Sequence, residues 1–233
     1  SDAATFWYSI AIAGLMVLFW LFEVLPIYVT AMFPLVMTVP LGVLESSDLS
    51  AAYGHKYIYL FLGGFILSLA LEKWDVHKQI AEAIIRLVGT SKARILLGFL
   101  LSTGLLSMWI SNSATTLMLL PITLAVLQHV KDPKLTIAML LGIAYAASLG
   151  GVGTPVGTPP NIIFMSVYLE TQGKEISFFE WMKTGVPIVV IGIPVIAWWL
   201  TRKLENTQSY DLPKSGAWQP AEKRVLITFL FIA

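Results

Sequence analysis

Apolar residues fill most of this chain, and polar residues collect in short breaks between them. A first apolar run covers Phe6 to Leu25, with a tight turn marked by Glu23 and Pro26. A second covers Ile27 to Leu44 and ends at a polar loop opened by ESSD, Glu45 to Asp48. A third runs from Tyr57 to Leu71. Several of these approach or exceed the ~18 residues that mark a membrane-crossing helix. Glu72 to Arg94 differs: Val76, Ile80, Ala83, Ile84, Leu87 and Val88 recur at helical spacing, with His77, Lys78, Glu82 and Arg86 off the stripe. That pattern predicts an amphipathic helix in the membrane interface, or one packed on protein.

Two later segments interrupt their own apolar pattern. Ile95 to Val130 is mainly apolar on both sides of SNSATT, Ser111 to Thr116. Leu135 to Leu169 is apolar except for GGVGTPVGTPPN, Gly150 to Asn161. A further span is expected over Val186 to Leu200, then a hydrophilic connection from Arg202 to Arg224. The closing VLITFLFIA is too short to cross a bilayer. The sequence is therefore expected to be a piece of a longer chain, with at least half of the protein outside it.

Composition agrees: 57% of residues are hydrophobic and 12% charged, about half the charge of a soluble domain. The class predicted is an all-α, polytopic membrane protein. With no cysteine, disulfides and thiolate metal sites are excluded. A net charge of +1 points to no nucleic acid. Twelve of fifteen Lys and Arg fall in Glu72–Arg94, the KDPK loop (Lys131 to Lys134) and Arg202–Arg224. The positive-inside rule makes that side cytoplasmic.

Ile95 to Val130 thus begins and ends on the cytoplasmic side. Each arm is about 17 residues, the lower limit for spanning, and SNSATT lacks the charge, Gly or Pro of an ordinary far-side turn. A re-entrant helical hairpin is predicted. In the second break, Gly150, Gly151, Gly153 and Gly157 free the backbone, while Pro155, Pro159 and Pro160 stop one helix and start another. Non-helical backbone at membrane depth survives only in protein or beside a water-filled cavity, so each break is a candidate site. Half-helix ends expose carbonyls to Na⁺ and N–H groups to anions. Asn112 or Ser113 at one helix start and Thr158 before Pro159 are candidate donors to a carboxylate or sulfate. Neither break holds Lys, Arg or His, so an anion there needs neutral donors, helix dipoles and a co-bound cation. The plainer reading makes these residues N-caps and small-residue packing.

SNSATTLMLLP followed by AYAASLGGVGTPVGTPPN resembles the divalent-anion:sodium symporter family, the INDY-type dicarboxylate and citrate carriers (solute carrier family 13 in animals). FEVLPIYVTA, near the first turn, resembles another shared stretch. The resemblance covers the N-terminal half of the family. It implies the first of two inverted repeats of an elevator-type transporter, working as a homodimer in a bacterial inner membrane. It implies scaffold helices and the interfacial helix over 1–91 and a transport domain over 92–203. That domain would hold a hairpin (93–130), a broken helix (134–170) and a helix (185–203). Residues 204–233 would be a connection and the start of the next span. Carried over, Ser107, Ser111 and Asn112 bind Na⁺, Asn112 also touches substrate, and Gly153, Gly157 or Pro159 supplies a backbone carbonyl. Ser113 stands where the family has Thr. The rest of the substrate site would lie in the second repeat.

The implied function is Na⁺-coupled import of a C4-dicarboxylate or citrate. An uncoupled anion exchanger, sulfate as the substrate, and a channel remain alternatives. An enzyme is disfavoured because Ile95–Leu127 and Leu135–Leu169 contain no Cys, His, Asp, Glu or Lys to activate a hydroxyl. His55, His77 and His129 share no ligand spacing. Glu23 is read as structural, and Trp7, Tyr8, Tyr57, Tyr59, Trp181, Trp198 and Trp199 as interfacial anchors.

Overall fold

In a computed structural model of the chain, the residues described are 2–89, 91–130, 132–202, 204 and 218–232. All regular structure among them is helical, and the chain forms two compact units, 1–59 and 60–233. Four helical stretches are long and apolar enough to cross a membrane: Ala3–Leu21, Ser46–Lys73, Pro133–Gly150 and Phe178–Thr201.

In the first unit, α1 (Asp2–Leu21) ends at Glu23, whose φ of 49° is left-handed. The Val24 N–H reaches back to Phe19 O (3.1 Å), as in a Schellman cap, and Pro26 prevents continuation. Glu23 is exposed and stands at the turn expected there. The helix expected over Ile27–Leu44 is instead two short pieces, α2 (Ile27–Thr30) and α3 (Phe33–Met37). Pro34 and Pro40 each remove a backbone donor. The chain then turns on Thr38, whose carbonyl accepts from Val43 N at 2.8 Å, and on Gly42 at φ 65°. The loop expected at ESSD opens a helix, α4 (Ser46–Tyr53), because Asp48 suits the first turn. The boundary between the units falls within α5 (Lys56–Lys73).

The second unit is built around α7 (Lys92–Ser107), which buries ten residues. The amphipathic α6 (Val76–Val88) packs on it, but through Val76, His77, Ala81 and Ile85. The periodic stripe is thus divided, leaving Ala83 and Leu87 exposed. Gly98 explains the rotation: a Cβ there would sit 2.9 Å from Ile85 Cα, so the two backbones meet at that turn. Burial pushes the His77 imidazole below its ordinary pKa.

Next come α8 (Asn112–Val130), α9 (Pro133–Gly150), α10 (Pro159–Gln172), α11 (Phe178–Thr201) and α12 (Pro220–Ile232). Ile95, Phe99 and Leu100 of α7 meet Leu135 and Met139 of α9 and Val189 and Ile193 of α11 in one apolar cluster. α11 starts at Phe178, eight residues before the expected Val186, because Ser177 and Glu180 form a reciprocal capping box. Pro187 and Pro194 lie inside α11, and Pro121 inside α8. Lys131, residues 205–217 of the expected connection and the His129 side chain lie outside the described residues.

α7 and α9 run parallel and in register. At their starts the Lys92 ammonium meets Asp132 at 2.6 Å, and near their ends Ser107 Oγ lies 2.7 Å from Ala147 O. Both pairs are 40 residues apart in sequence. Asp132 also caps α9, accepting from Lys134 N (2.9 Å) and Leu135 N (3.3 Å). The Lys92 hydrogen bond, then the caps, hold its carboxyl below the usual carboxylate range. Asp132→Ala is therefore expected to lower stability by roughly 1–2 kcal/mol near pH 7. A carboxylate depressed in the fold contributes above its unfolded pKa and loses that contribution as pH falls through the folded value. Thermal unfolding in detergent should show the parent and variant converging once pH drops below the ordinary carboxylate range.

Candidate functional site

The parallel pairing puts both breaks at one level, at the ends of α7 and α9. At the first, Trp109 N and Ile110 N fold back onto Leu106 O (3.0 and 2.9 Å) and close α7. Ile110 is fully buried, and Trp109 stacks on Phe178 with ring centres 6.0 Å apart. Ser111 Oγ accepts from Ala114 N at 3.3 Å, so Ser111 is the N-cap of α8. The Thr116 hydroxyl donates back to Asn112 O (2.8 Å).

At the second break the chain leaves helical geometry between Gly150 and Pro159. Turn bonds run from Val152 N to Leu149 O (3.1 Å), Gly153 N to Gly150 O (2.9 Å) and Gly157 N to Thr154 O (3.3 Å). Asn161, buried in the first turn of α10, donates its amide to Gly151 O (2.7 Å) and Thr154 O (2.8 Å). The Thr154 hydroxyl donates to Met108 O, which ties this loop to the hairpin end. From α11, the Trp181 indole N–H donates to Val152 O at 2.8 Å. Trp181 is thus held by the loop and half-buried, rather than being a simple interfacial anchor.

Ser107 and Asn112 come together here. The fully buried Ser107 Oγ lies 2.8 Å from Asn112 Oδ1 and 2.7 Å from Ala147 O. One hydroxyl proton serves two acceptors, so three oxygens converge with an excess of lone pairs. The Gly151 backbone closes on the same carboxamide; a Cβ at Gly151 would run into Asn112 Oδ1. Ser111 Oγ gives one lone pair to its cap and keeps a second. Ser113 is exposed and shares an open pocket of about 400 Å³ with Asn112, Thr116, Ala144, Ala147 and Ser148.

The other candidates spread along the loop. Gly153 and Gly157 are buried, and a Cβ at Gly157 would meet Gly151 O at 2.5 Å. Thr158 takes the N-cap position of α10 in extended geometry, with no side-chain cap bond, and does not line the pocket of Ser113. Pro159 is exposed at the first position of α10. Among the described residues, no group of His, Asp and Glu could hold a metal. The site offers only neutral oxygens, amides and helix ends.

Residues 17–233 match the model of a family described as citrate transporter. The chain belongs to that family. It is 39% identical over 235 residues, 91% of its length, to a sodium-dependent dicarboxylate transporter of Staphylococcus saprophyticus. It is 41% identical over 196 residues, 79% of its length, to a protein of the same description in Staphylococcus aureus. The chain spans less than half of these relatives, 45% and 38%. Membership of the citrate transporter family, with its apolar helices, makes it a part of an integral protein of the bacterial plasma membrane.

Asn161, Thr154 and Trp181 were missed as braces of the site. The available signal for Asn161 was a lone amide directly after Pro159-Pro160 at the head of an apolar half-helix. Asn161→Leu leaves two buried carbonyls without their donor. It is expected to destabilise the protein by roughly 2–4 kcal/mol, read as a lower thermal midpoint in detergent.

Proposed function

We propose that this chain is the N-terminal half of a sodium-coupled symporter that imports a divalent anion, a C4-dicarboxylate or citrate. The observation that carries this reading is the oxygen cluster of Ser107, Asn112 and Ala147, enclosed by the Gly151 backbone and free of any fixed charge. Surplus lone pairs in a charge-free setting favour a hard monovalent cation. The family and the descriptions of the relatives agree.

In this reading Ser107, Ser111 and Asn112 hold Na⁺ together with a carbonyl of the Gly153–Pro159 loop. The bound Na⁺ then supplies the positive charge the anion lacks elsewhere. Asn112, Ser113 and Thr158 are its neutral donors, Asn112 and Ser113 at the positive end of α8. α7 has 16 residues, about 24 Å of rise, against a hydrocarbon core of ~30 Å. That supports a re-entrant hairpin whose tip stays inside the membrane. The second inverted repeat completes the substrate site. Residues 92–203 move as the transport domain of an elevator against a scaffold that includes 1–91, within a homodimer.

The test is uptake of labelled succinate and citrate by the full-length carrier in proteoliposomes. Replacing Na⁺ by choline should stop uptake. Equal uptake in choline, with counterflow from preloaded vesicles, would instead establish an exchanger, and a preference for sulfate would change the substrate. Asn112→Ala removes an oxygen offered to a charged ligand, and uptake is expected to fall at least about tenfold with expression unchanged. Near-parental uptake by that variant would reduce the hairpin end to a structural cap.

A further inference from the structure

The half of α11 that faces the second break does more than pack against it. Trp181 donates its indole N–H to Val152 O at 2.8 Å. One turn along, Gly185 brings the α11 backbone against the same peptide and the next: a Cβ there would lie 2.5 Å from Val152 O and 3.0 Å from Gly153 O. The Trp181 ring meets Phe164 of α10 edge to face, with centres 5.8 Å apart. One side chain therefore links α11, the loop and the downstream half-helix. No other side chain does this among the described bonds of Gly150 to Thr158. Asn161 grips Gly151 O and Thr154 O from within α10, and Thr154 grips the hairpin.

The carbonyl held by Trp181 lies between two peptides that matter to the cation. Gly151 lies against Asn112, and Gly153 begins the run from which a Na⁺ ligand is drawn. In a loop with four glycines the peptide planes turn easily. Turning one plane redirects the carbonyl on either side. Fixing Val152 O toward α11 removes that freedom before the ion arrives, and a preorganised site binds more tightly than one that must be ordered on binding.

We infer that Trp181 is a positioning residue for the cation site: its indole N–H orients the Val152 peptide and so sets Na⁺ affinity. It touches neither ion nor substrate. This rests on the sodium-coupled reading above. It makes α11 part of the site's second wall, and it gives the half-buried indole a task that interfacial anchoring does not require.

Half-saturating Na⁺ for succinate uptake by the full-length carrier in proteoliposomes tests the inference. Trp181→Phe keeps an aromatic ring and removes the donor. It should raise half-saturating Na⁺ about fivefold, the factor an ordinary hydrogen bond represents, with the maximal rate at saturating Na⁺ retained. Trp181→His, which keeps a ring N–H, should restore the parental value to within about twofold. Phe164→Leu disturbs the same aromatic contact but not the Val152 bond, and should leave half-saturation unchanged. Parental half-saturation in Trp181→Phe overturns the inference, and so does an equal shift in Phe164→Leu, which would make the effect one of packing. Should Trp181→Phe fail to fold, Trp181→His decides through Na⁺-induced thermal stabilisation in detergent: parental affinity supports the role, and its loss overturns it. A parent indifferent to Na⁺ removes the symport reading itself, and this inference with it.

Discussion

The parallel, in-register pairing of α7 and α9 is the constraint on which the site depends. An ion pair fixes the two helix starts, and a serine-to-carbonyl bond fixes the two ends. Beside the second of these contacts Gly104 and Gly150 let the backbones touch, with Ala146 next to them. Small residues permit this approach, and in a membrane dispersion over such close surfaces replaces the hydrophobic drive of water. Two helices held this way must end at the same height. The polar hairpin end and the glycine loop begin about 40 residues apart in sequence, and they face each other because the helices leading to them are matched.

That arrangement explains how a break can be tolerated at all. Freed backbone groups in an apolar setting cost several kcal/mol each unless satisfied. Here they are satisfied by neutral side chains drawn from every neighbouring element: Thr154 on the hairpin carbonyl, Asn161 on two loop carbonyls, Trp181 on a third, and Ser111 on its own helix start. None carries charge. A fixed Lys or Arg in this place would hold an anion whether or not a cation were present. In the proposed reading, a neutral, oxygen-rich site makes anion binding conditional on the cation, which is the requirement of coupled transport.

What could be read in the sequence follows from the range of each interaction. The two breaks were legible because they are local departures from apolar periodicity, and so were the turn at Glu23 and Pro26 and the amphipathic α6. Pairing partners were not. The buried face of α6 is chosen by Gly98 on another helix, so Ile84 and Leu87 matched the period but not the contact. Ile27–Leu44 had the length and hydropathy of a span, yet Pro34 and Pro40 outweighed both. Ser177 and Glu180 form a capping box recognisable in principle, but the apolar pattern that placed the span becomes continuous only from Val186. Trp181 looked like an anchor because its acceptor, Val152 O, is 29 residues away.

The first residues of α8 show how much function a single helix start can divide. Successive residues point about 100° apart around the axis. Ser111 turns back and caps its own helix. Asn112 turns inward, where Ser107 Oγ and the Gly151 backbone meet its carboxamide. Ser113 turns outward to the pocket and takes no part in the cap. Its hydroxyl therefore sits at the positive end of the helix, exposed to the pocket. A threonine there would offer the same oxygen with an added methyl. Serine leaves that volume to the pocket, so in the proposed reading the difference falls on the shape of the bound anion and not on the cation chemistry behind it.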